Sequence, residues 1–326
     1  MQRNDMLLDI LFILAGFVLL LKGGDWLVEG SVSIARKARL SPMVIGLTVV
    51  GFGTSAPELF VSLQAALAGS PGICIGNVVG SNIANIALIL GTTALILPCV
   101  AKPHTLRIDV PMMVLACLLL AAAGMSGSIG RLAGAVAVVI LVSFVSWEVR
   151  RSRRMTKNAD FIEENTQRQM RLWVAVVLVL VALGLLVLGS DLLVGGASGI
   201  ARQIGESAGA DPQELERIIG LTIVAVGTSL PELFASVIAA RKGQQEMAIG
   251  NIVGSVTFNV FFCIGISAII CPISDTDGGF LADYLLMGGL TLLLWLFMYT
   301  KRTLERWEGG VLLSIYIIYI CSTIVA

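Results

Sequence analysis

Two distant stretches of the chain are nearly the same. Residues 51–60 read GFGTSAPELF and residues 225–234 read AVGTSLPELF. At a fixed offset of 174, residues 46–91 and 220–265 align without a gap and agree at 23 of 46 positions. The match continues upstream, where GGDWLVEGSVSIAR (23–36) answers GSDLLVGGASGIAR (189–202). Such a chain folds as two similar halves, each built around the same pair of segments.

Those segments are apolar. The chain is 56% hydrophobic and 13% charged, whereas a soluble domain carries about a quarter charged residues. Apolar runs long enough to cross about 30 Å of hydrocarbon recur along its length. Lipid offers no partner to unpaired backbone groups, so spanning segments are helices or closed barrels. Barrel strands alternate apolar and polar residues, and these runs do not. The expected fold is an all-α polytopic membrane protein with ten transmembrane helices, near 7–35, 41–69, 72–98, 105–124, 129–149, 171–201, 215–240, 245–271, 279–300 and 307–325. Residues 7–21, with Arg3 ahead, look like the apolar core of a signal peptide. They run on into KGGDWLVEG with no small-residue cleavage site, so they read as the first span.

The basic, polar stretch 150–170 divides the chain into residues 1–149 and 171–326, with five predicted helices each. An odd number of spans makes the second half enter from the opposite face, so the two repeats are inverted. With the amino terminus outside and the central loop cytoplasmic, 17 of the 22 basic residues fall in cytoplasmic loops, the bias of a multi-pass plasma (inner) membrane protein.

Each repeat lays polar residues along otherwise apolar helices. Thr54, Glu58 and Ser62 stand at i, i+4 and i+8, as do Asn77, Ser81 and Asn85. The second repeat supplies Thr228, Glu232 and Ser236, then Asn251, Ser255 and Asn259. That spacing puts each trio on one helix face. Pro57 and Pro231 lack an N–H, which frees the carbonyls of Gly53 and Gly227 four residues back. A broken helix within the membrane has to line a cavity or be buried in protein. Carboxylate, hydroxyl, amide and carbonyl oxygens together suit hard cations such as Ca²⁺ or Na⁺. A carboxylate at a helix centre costs at least about 2.5 kcal/mol on insertion scales. No lysine or arginine stands at matching depth, so the missing positive charge is the substrate. Ser62 and Ser236 read more readily as packing residues than as ligands. The pairs Gly76/Gly80 and Gly250/Gly254 also read as packing motifs. Asp25 and Asp191, which recur between the halves, are left undecided.

Other functions leave little trace. Net charge is zero and no basic, aromatic-interleaved surface suggests nucleic acid. The six scattered cysteines contain no C-x-x-C and read as small buried hydrophobes. The single histidine, His104, is expected in a short loop, which removes His-cluster metal sites and most general-base chemistry. An intramembrane enzyme is the remote alternative: the GTS serine has no base beside it and H-E-x-x-H is absent.

The paired motifs GTSAPE…GNVVGSNIAN and GTSLPE…GNIVGSVTFN resemble the two alpha-repeats of the sodium/calcium exchangers, in the cation/calcium antiporter superfamily. The resemblance covers both repeats, the ten-helix plan and the central loop. It implies a minimal prokaryotic antiporter that exchanges Ca²⁺ for Na⁺ by alternating access. It needs no cofactor beyond its transported ions, and implies the lipid bilayer but no obligatory protein partner. It implies Ca²⁺ bound by Glu58 and Glu232, with carbonyls near Thr54 and Thr228 completing the shell. Ser55, Ser229, Ser81 and Ser255 would help form flanking Na⁺ sites, and Asn85 and Asn259 match the remaining polar centre positions. Some exchangers carry aspartate at the place of Asn259, and potassium-coupled members use an acid in this region. The asparagines therefore argue against potassium dependence. Val256 stands where the first repeat has Asn82, so the symmetry is imperfect. A Ca²⁺/H⁺ antiporter on the same fold is the nearer alternative, since buried carboxylates can carry protons.

Overall fold

The computed structural model describes residues 2–158, 170–207, 225–274 and 280–325, with isolated positions 211, 215, 219 and 223 between them. It is helical almost throughout. Helix α1 is Gln2–Ala38. Helix α2 is bent by 47° between Pro42–Thr54 and Ala56–Leu67, and α3 is Pro71–Ile96. Then come α4, Thr105–Met125, α5, Arg131–Asn158, and α6, Leu172–Ser207. The described part of α7 is Ala225–Thr228 and Leu230–Arg241. Helix α8 is Gln245–Ile270, α9 is Leu281–Lys301 and α10 is Arg306–Val325.

Among the described residues seven helices are long and apolar enough to cross a membrane, or eight with the bent α2 taken as one span. The sequence predicted ten. The opening of the seventh predicted span and the middle of the linker fall largely outside the described residues, and α10 opens on a charged turn with Arg306 and Glu308. Helix α5 also runs nine residues past its predicted end at 149. Arginines favour the helix as well as most residues do, so Arg150, Arg151, Arg153 and Arg154 extend it beyond the apolar part.

Helices α1 and α6 lie antiparallel along most of their length. A Cβ on Gly199 would meet the Asp9 carboxylate, one on Gly16 the carbonyl of Gly189, and one on Gly30 the carbonyl of Ala175. The glycines let the two backbones touch. Leu20, Leu27, Val179, Ala182 and Leu186 pack between them and onto α7. Their outer faces, with Leu11, Leu14 and Leu180 among others, are exposed, as lipid-facing residues are. A second and larger core joins α3, α4, α5, α8, α9 and α10.

Contacts recur at nearly the offset of the sequence repeat. Gly91 of α3 and Gly309 of α10 face each other's carbonyls, and so do Gly265 of α8 and Gly134 of α5. Two short antiparallel ladders behave the same way. Strand β1 (Cys99–Val100) pairs with β4 (Thr303–Leu304), and β2 (Ser128–Ile129) with β3 (Ile273–Ser274). Adding 174 to residue 99 gives 273 and subtracting 175 from residue 304 gives 129, so one ladder maps onto the other.

Candidate functional site

The helix break sits at equivalent serines. Ser55 has φ −87° and ψ 6°, and Ser229 has φ −94° and ψ 2°. Both fall outside regular helix, two residues ahead of Pro57 and Pro231. A glutamate follows each proline in the first turn of the new helix segment. Two further irregularities accompany the break. Helix α3 widens into a π turn at Ala84–Leu90 and α8 at Asn259–Ile264. Each widened turn opens on or beside a predicted ligand, Asn85 or Asn259; π turns are common at functional sites.

Links between the two repeats bring Thr54, Ser55, Glu232, Asn251 and Ser255 together in the buried interior, with Ser55 three residues from Glu58. Glu58 is 2% exposed and Glu232 is 1% exposed. One carboxylate oxygen of each, Oε2, has no hydrogen-bond partner, and neither does Oδ1 of Asn85. Ser55 Oγ stands 3.5 Å from Glu232 Oε1, which joins the two halves across the centre. Ser255 Oγ donates to the Gly51 carbonyl of the other repeat at 3.4 Å. Thr54 Oγ1 is 3.1 Å from the Val50 carbonyl and 3.4 Å from Asn251 Oδ1. Thr54, Ser55, Ser81, Ser229 and Ser255 are all buried, and Thr228 is half-buried. Among the described residues no ion pair reaches either glutamate. Lys22, a basic residue within the apolar run of α1, is exposed.

Unpartnered acceptors with no nearby donor are costly when buried. Three such acceptors stand on α2, α7 and α3. The arrangement suits a cation, which accepts lone pairs from several directions at once. Two ionised carboxylates balance one divalent ion or two monovalent ones.

The stripe serines do more than pack. Asn77 Nδ2 donates to Ser62 Oγ at 2.8 Å and to the Glu58 carbonyl at 3.0 Å. Asn251 Nδ2 donates likewise to Ser236 Oγ at 2.9 Å and the Glu232 carbonyl at 3.3 Å. Each serine anchors an asparagine that holds the backbone of its glutamate. Asn85 and Asn259 differ. Asn259 Nδ2 donates to Asn82 Oδ1 at 3.2 Å and its Oδ1 faces Cys263 Sγ at 3.7 Å, so its amide is engaged by protein. Asn82 does this from the position where the second repeat has Val256.

The carbonyls freed by the prolines are not equally open. Ser190 Oγ of α6 donates to the Gly227 carbonyl, which corrects the expectation that Pro231 leaves it free. The residue that answers Ser190 in the first half is Gly24, which has no hydroxyl, so this capture has no counterpart at Gly53. The difference between GS at 189–190 and GG at 23–24 was readable in the sequence; its target was not. Asp25 and Asp191 lie away from the centre. Asp25 is half-buried and pairs with Lys242 at 2.8 Å, and Asp191 is exposed.

The glycine motifs divide as well. A Cβ on Gly250 would collide with the Met43 carbonyl and one on Gly254 with the Leu47 carbonyl, so α8 lies backbone to backbone against α2. The described neighbour of Gly76 is the Phe280 ring, at 3.3 Å.

Known proteins share both the sequence and the shape. The family described as sodium/calcium exchanger protein matches residues 8–149 and 174–325. CaxA of Alkalimonas amylolytica, named as a candidate antiporter, is 38% identical over 96% of this chain and 98% of its own. The sodium/calcium exchanger MaX1 of Methanosarcina acetivorans is 30% identical over 96% of this chain and 97% of its own. The solved structure of the sodium-calcium exchanger NCX_Mj, soaked with Na⁺ and Sr²⁺, superposes with a TM-score of 0.80 at 31% identity. That match covers 97% of this chain and 98% of the exchanger.

Proposed function

The chain belongs to the sodium/calcium exchanger family, and we propose that it is a secondary antiporter that exchanges Ca²⁺ for Na⁺ at the buried centre between α2, α3, α7 and α8. The observation that carries this reading is the trio of unpartnered acceptor oxygens, Glu58 Oε2, Glu232 Oε2 and Asn85 Oδ1, in a centre with no cationic side chain. Glu58 and Glu232 bind the divalent ion. Backbone carbonyls at the two breaks, near Thr54 and Thr228, complete its shell toward the six or more oxygens that Ca²⁺ takes. Ser55, Ser81, Ser229 and Ser255 serve Na⁺ beside it. Asn85 faces the ions directly, and Asn259 supports the centre from its bond to Asn82. Sodium and calcium compete for overlapping oxygens, which is the physical basis of exchange.

In the same reading the chain has ten spans in two inverted repeats of five, residues 1–149 and 171–326, joined by the basic linker 150–170. The antiparallel α1 and α6, the Gly91/Gly309 and Gly134/Gly265 pairs and the two related ladders support it. The amino terminus is outside and the linker cytoplasmic, the orientation that the distribution of lysine and arginine favours. Access alternates as the α1–α6 pair slides over the rest, where Gly24 meets Ile238, Gly53 meets Leu183 and Gly227 meets Val194.

Radiolabelled Ca²⁺ uptake into sodium-loaded proteoliposomes at clamped pH tests this. Uptake is expected on dilution into sodium-free buffer and absent in sodium-equal buffer. Uptake that ignores sodium and follows an imposed pH gradient would assign the chain to proton coupling instead.

A milder effect is expected at the anchors. Ser236→Ala removes the acceptor that orients Asn251, worth about 0.5–1.5 kcal/mol for a net hydrogen bond. Half-saturating Ca²⁺ rises about two- to tenfold while maximal flux holds. A loss of flux with unchanged affinity would contradict a positioning role.

A further inference from the structure

The single histidine of the chain is not an isolated loop residue. His104 precedes α4, and its ring meets Asp109 of α4 and Glu148 of α5. We propose that His104, Asp109 and Glu148 form a second cation site, separate from the glutamate centre and built for a divalent transition metal such as Zn²⁺.

Three observations carry this. The first is geometry: His104 Nε2 lies 2.7 Å from Glu148 Oε1 and 3.9 Å from Asp109 Oδ1, and one ligand atom of each residue falls within 4.8 Å of the others. Zinc bonds of about 2.0–2.2 Å to nitrogen and oxygen put ligand atoms of a tetrahedral site about 3.3 Å apart. The observed separations straddle that value, so small side-chain movements close the site.

The second is an unmet need. Asp109 is 1% exposed and neither of its carboxylate oxygens has a hydrogen-bond partner. A proton on His104 Nε2 points along one direction and is already taken by Glu148. Arg151, the other cation at this place, stands 3.9 Å from Glu148 and has no ion pair with Asp109 among the described residues. A metal ion bonds in several directions and reaches all three ligands at once.

The third is the donor set. Two carboxylates with one imidazole suit zinc and its neighbours better than Ca²⁺ or Mg²⁺, which prefer oxygen throughout. The His104 side chain is 21% exposed, which leaves an entry path and room for water at the fourth position. The bound ion would tie α4 to α5. One turn further along α5, Ser152 Oγ accepts the Ser41 N–H at 2.8 Å, where α2 begins.

The test uses the full chain in detergent with Ca²⁺ at saturation to fill the transport centre, and Co²⁺ as a spectroscopic substitute for zinc. Equilibrium dialysis is expected to give one Co²⁺ per chain, with visible d–d bands of a nitrogen- and oxygen-bound ion. Asp109→Asn and His104→Gln should each weaken binding at least about tenfold; the latter changes a partly exposed position and remains informative if the former fails to fold. The Glu58→Gln, Glu232→Gln double variant should keep the Co²⁺, which separates this site from the transport centre whatever the fate of the antiporter reading. Absence of Co²⁺ binding that survives Ca²⁺, or equal binding by wild type and both site variants, would overturn the proposal.

Discussion

Glu58→Gln abolishes calcium uptake, and Glu232→Gln does the same, while both proteins fold. The expectation rests on charge. Two carboxylates balance one Ca²⁺; with one neutralised, the occupied centre keeps a net positive charge away from water. Removing one partner of a buried ionic interaction costs about 3–5 kcal/mol, or about two to three and a half orders of magnitude in affinity. The protein without ions responds in the opposite sense. Glu58 and Glu232 are almost fully buried with unpartnered oxygens, so converting either to an amide removes charge that the apolar surroundings disfavour. The melting temperature without Ca²⁺ therefore holds or rises. In the wild type, Ca²⁺ at about a hundred times its dissociation constant adds about 2.7 kcal/mol of stability, and chelation removes it. That increment disappears in both variants. Normal uptake by Glu58→Gln would rule out the carboxylate pair as the transport centre.

Much of this is legible in the sequence. The duplicated segment, the prolines and the glutamates behind them came from residue identity and spacing, and the structure brings both glutamates to one centre. What spacing could not reveal was which polar residues hold other protein groups. Asn85 and Asn259 occupy the same place in the two repeats, yet one has an unpartnered oxygen and the other is bonded to Asn82. The oxygen of Asn259 faces the thiol of Cys263, and the residue that answers Cys263 in the first repeat is Ile89, which has no donor to offer Asn85. Ser62 and Ser236 read as packing residues because they are small; their hydrogen bonds to Asn77 and Asn251 depend on helices that meet only in the fold. His104 shows the same limit most clearly. Asp109 and Glu148 are separated from it by 5 and 44 positions, and only the approach of α5 to the start of α4 puts them together. Helix ends failed for a different reason. Hydropathy marks where the lipid stops, but the arginines after residue 149 continue the helix into water.

Gly254→Val separates the two helices that carry the centre, with losses in both stability and transport. The Gly254 backbone lies against the Leu47 carbonyl, and Gly250, four residues earlier, lies against the Met43 carbonyl. A side chain at 254 meets backbone, which cannot rotate away as a flexible side chain can. Overpacking a close contact costs about 1–3 kcal/mol, occasionally more, and α8 can relieve it only by moving off α2. The movement carries function with it. Ser255 is the next residue and its Oγ reaches the Gly51 carbonyl at 3.4 Å; Asn251, one turn back, holds the Glu232 carbonyl. A displacement of a few tenths of an ångström opens both links and spreads oxygens that a small cation requires at about 2.3–2.6 Å. The expected result is a lower melting temperature together with at least about a tenfold loss of Ca²⁺ affinity. Gly289→Ala provides the contrast. Gly289 is exposed on α9 and a Cβ there meets nothing within 4 Å. Alanine at that position gains up to about 1 kcal/mol of helix propensity and leaves transport unchanged. Equal, near-wild-type behaviour of both variants would show that α2 and α8 have slack at their contact, and that the site tolerates a looser frame than its geometry requires.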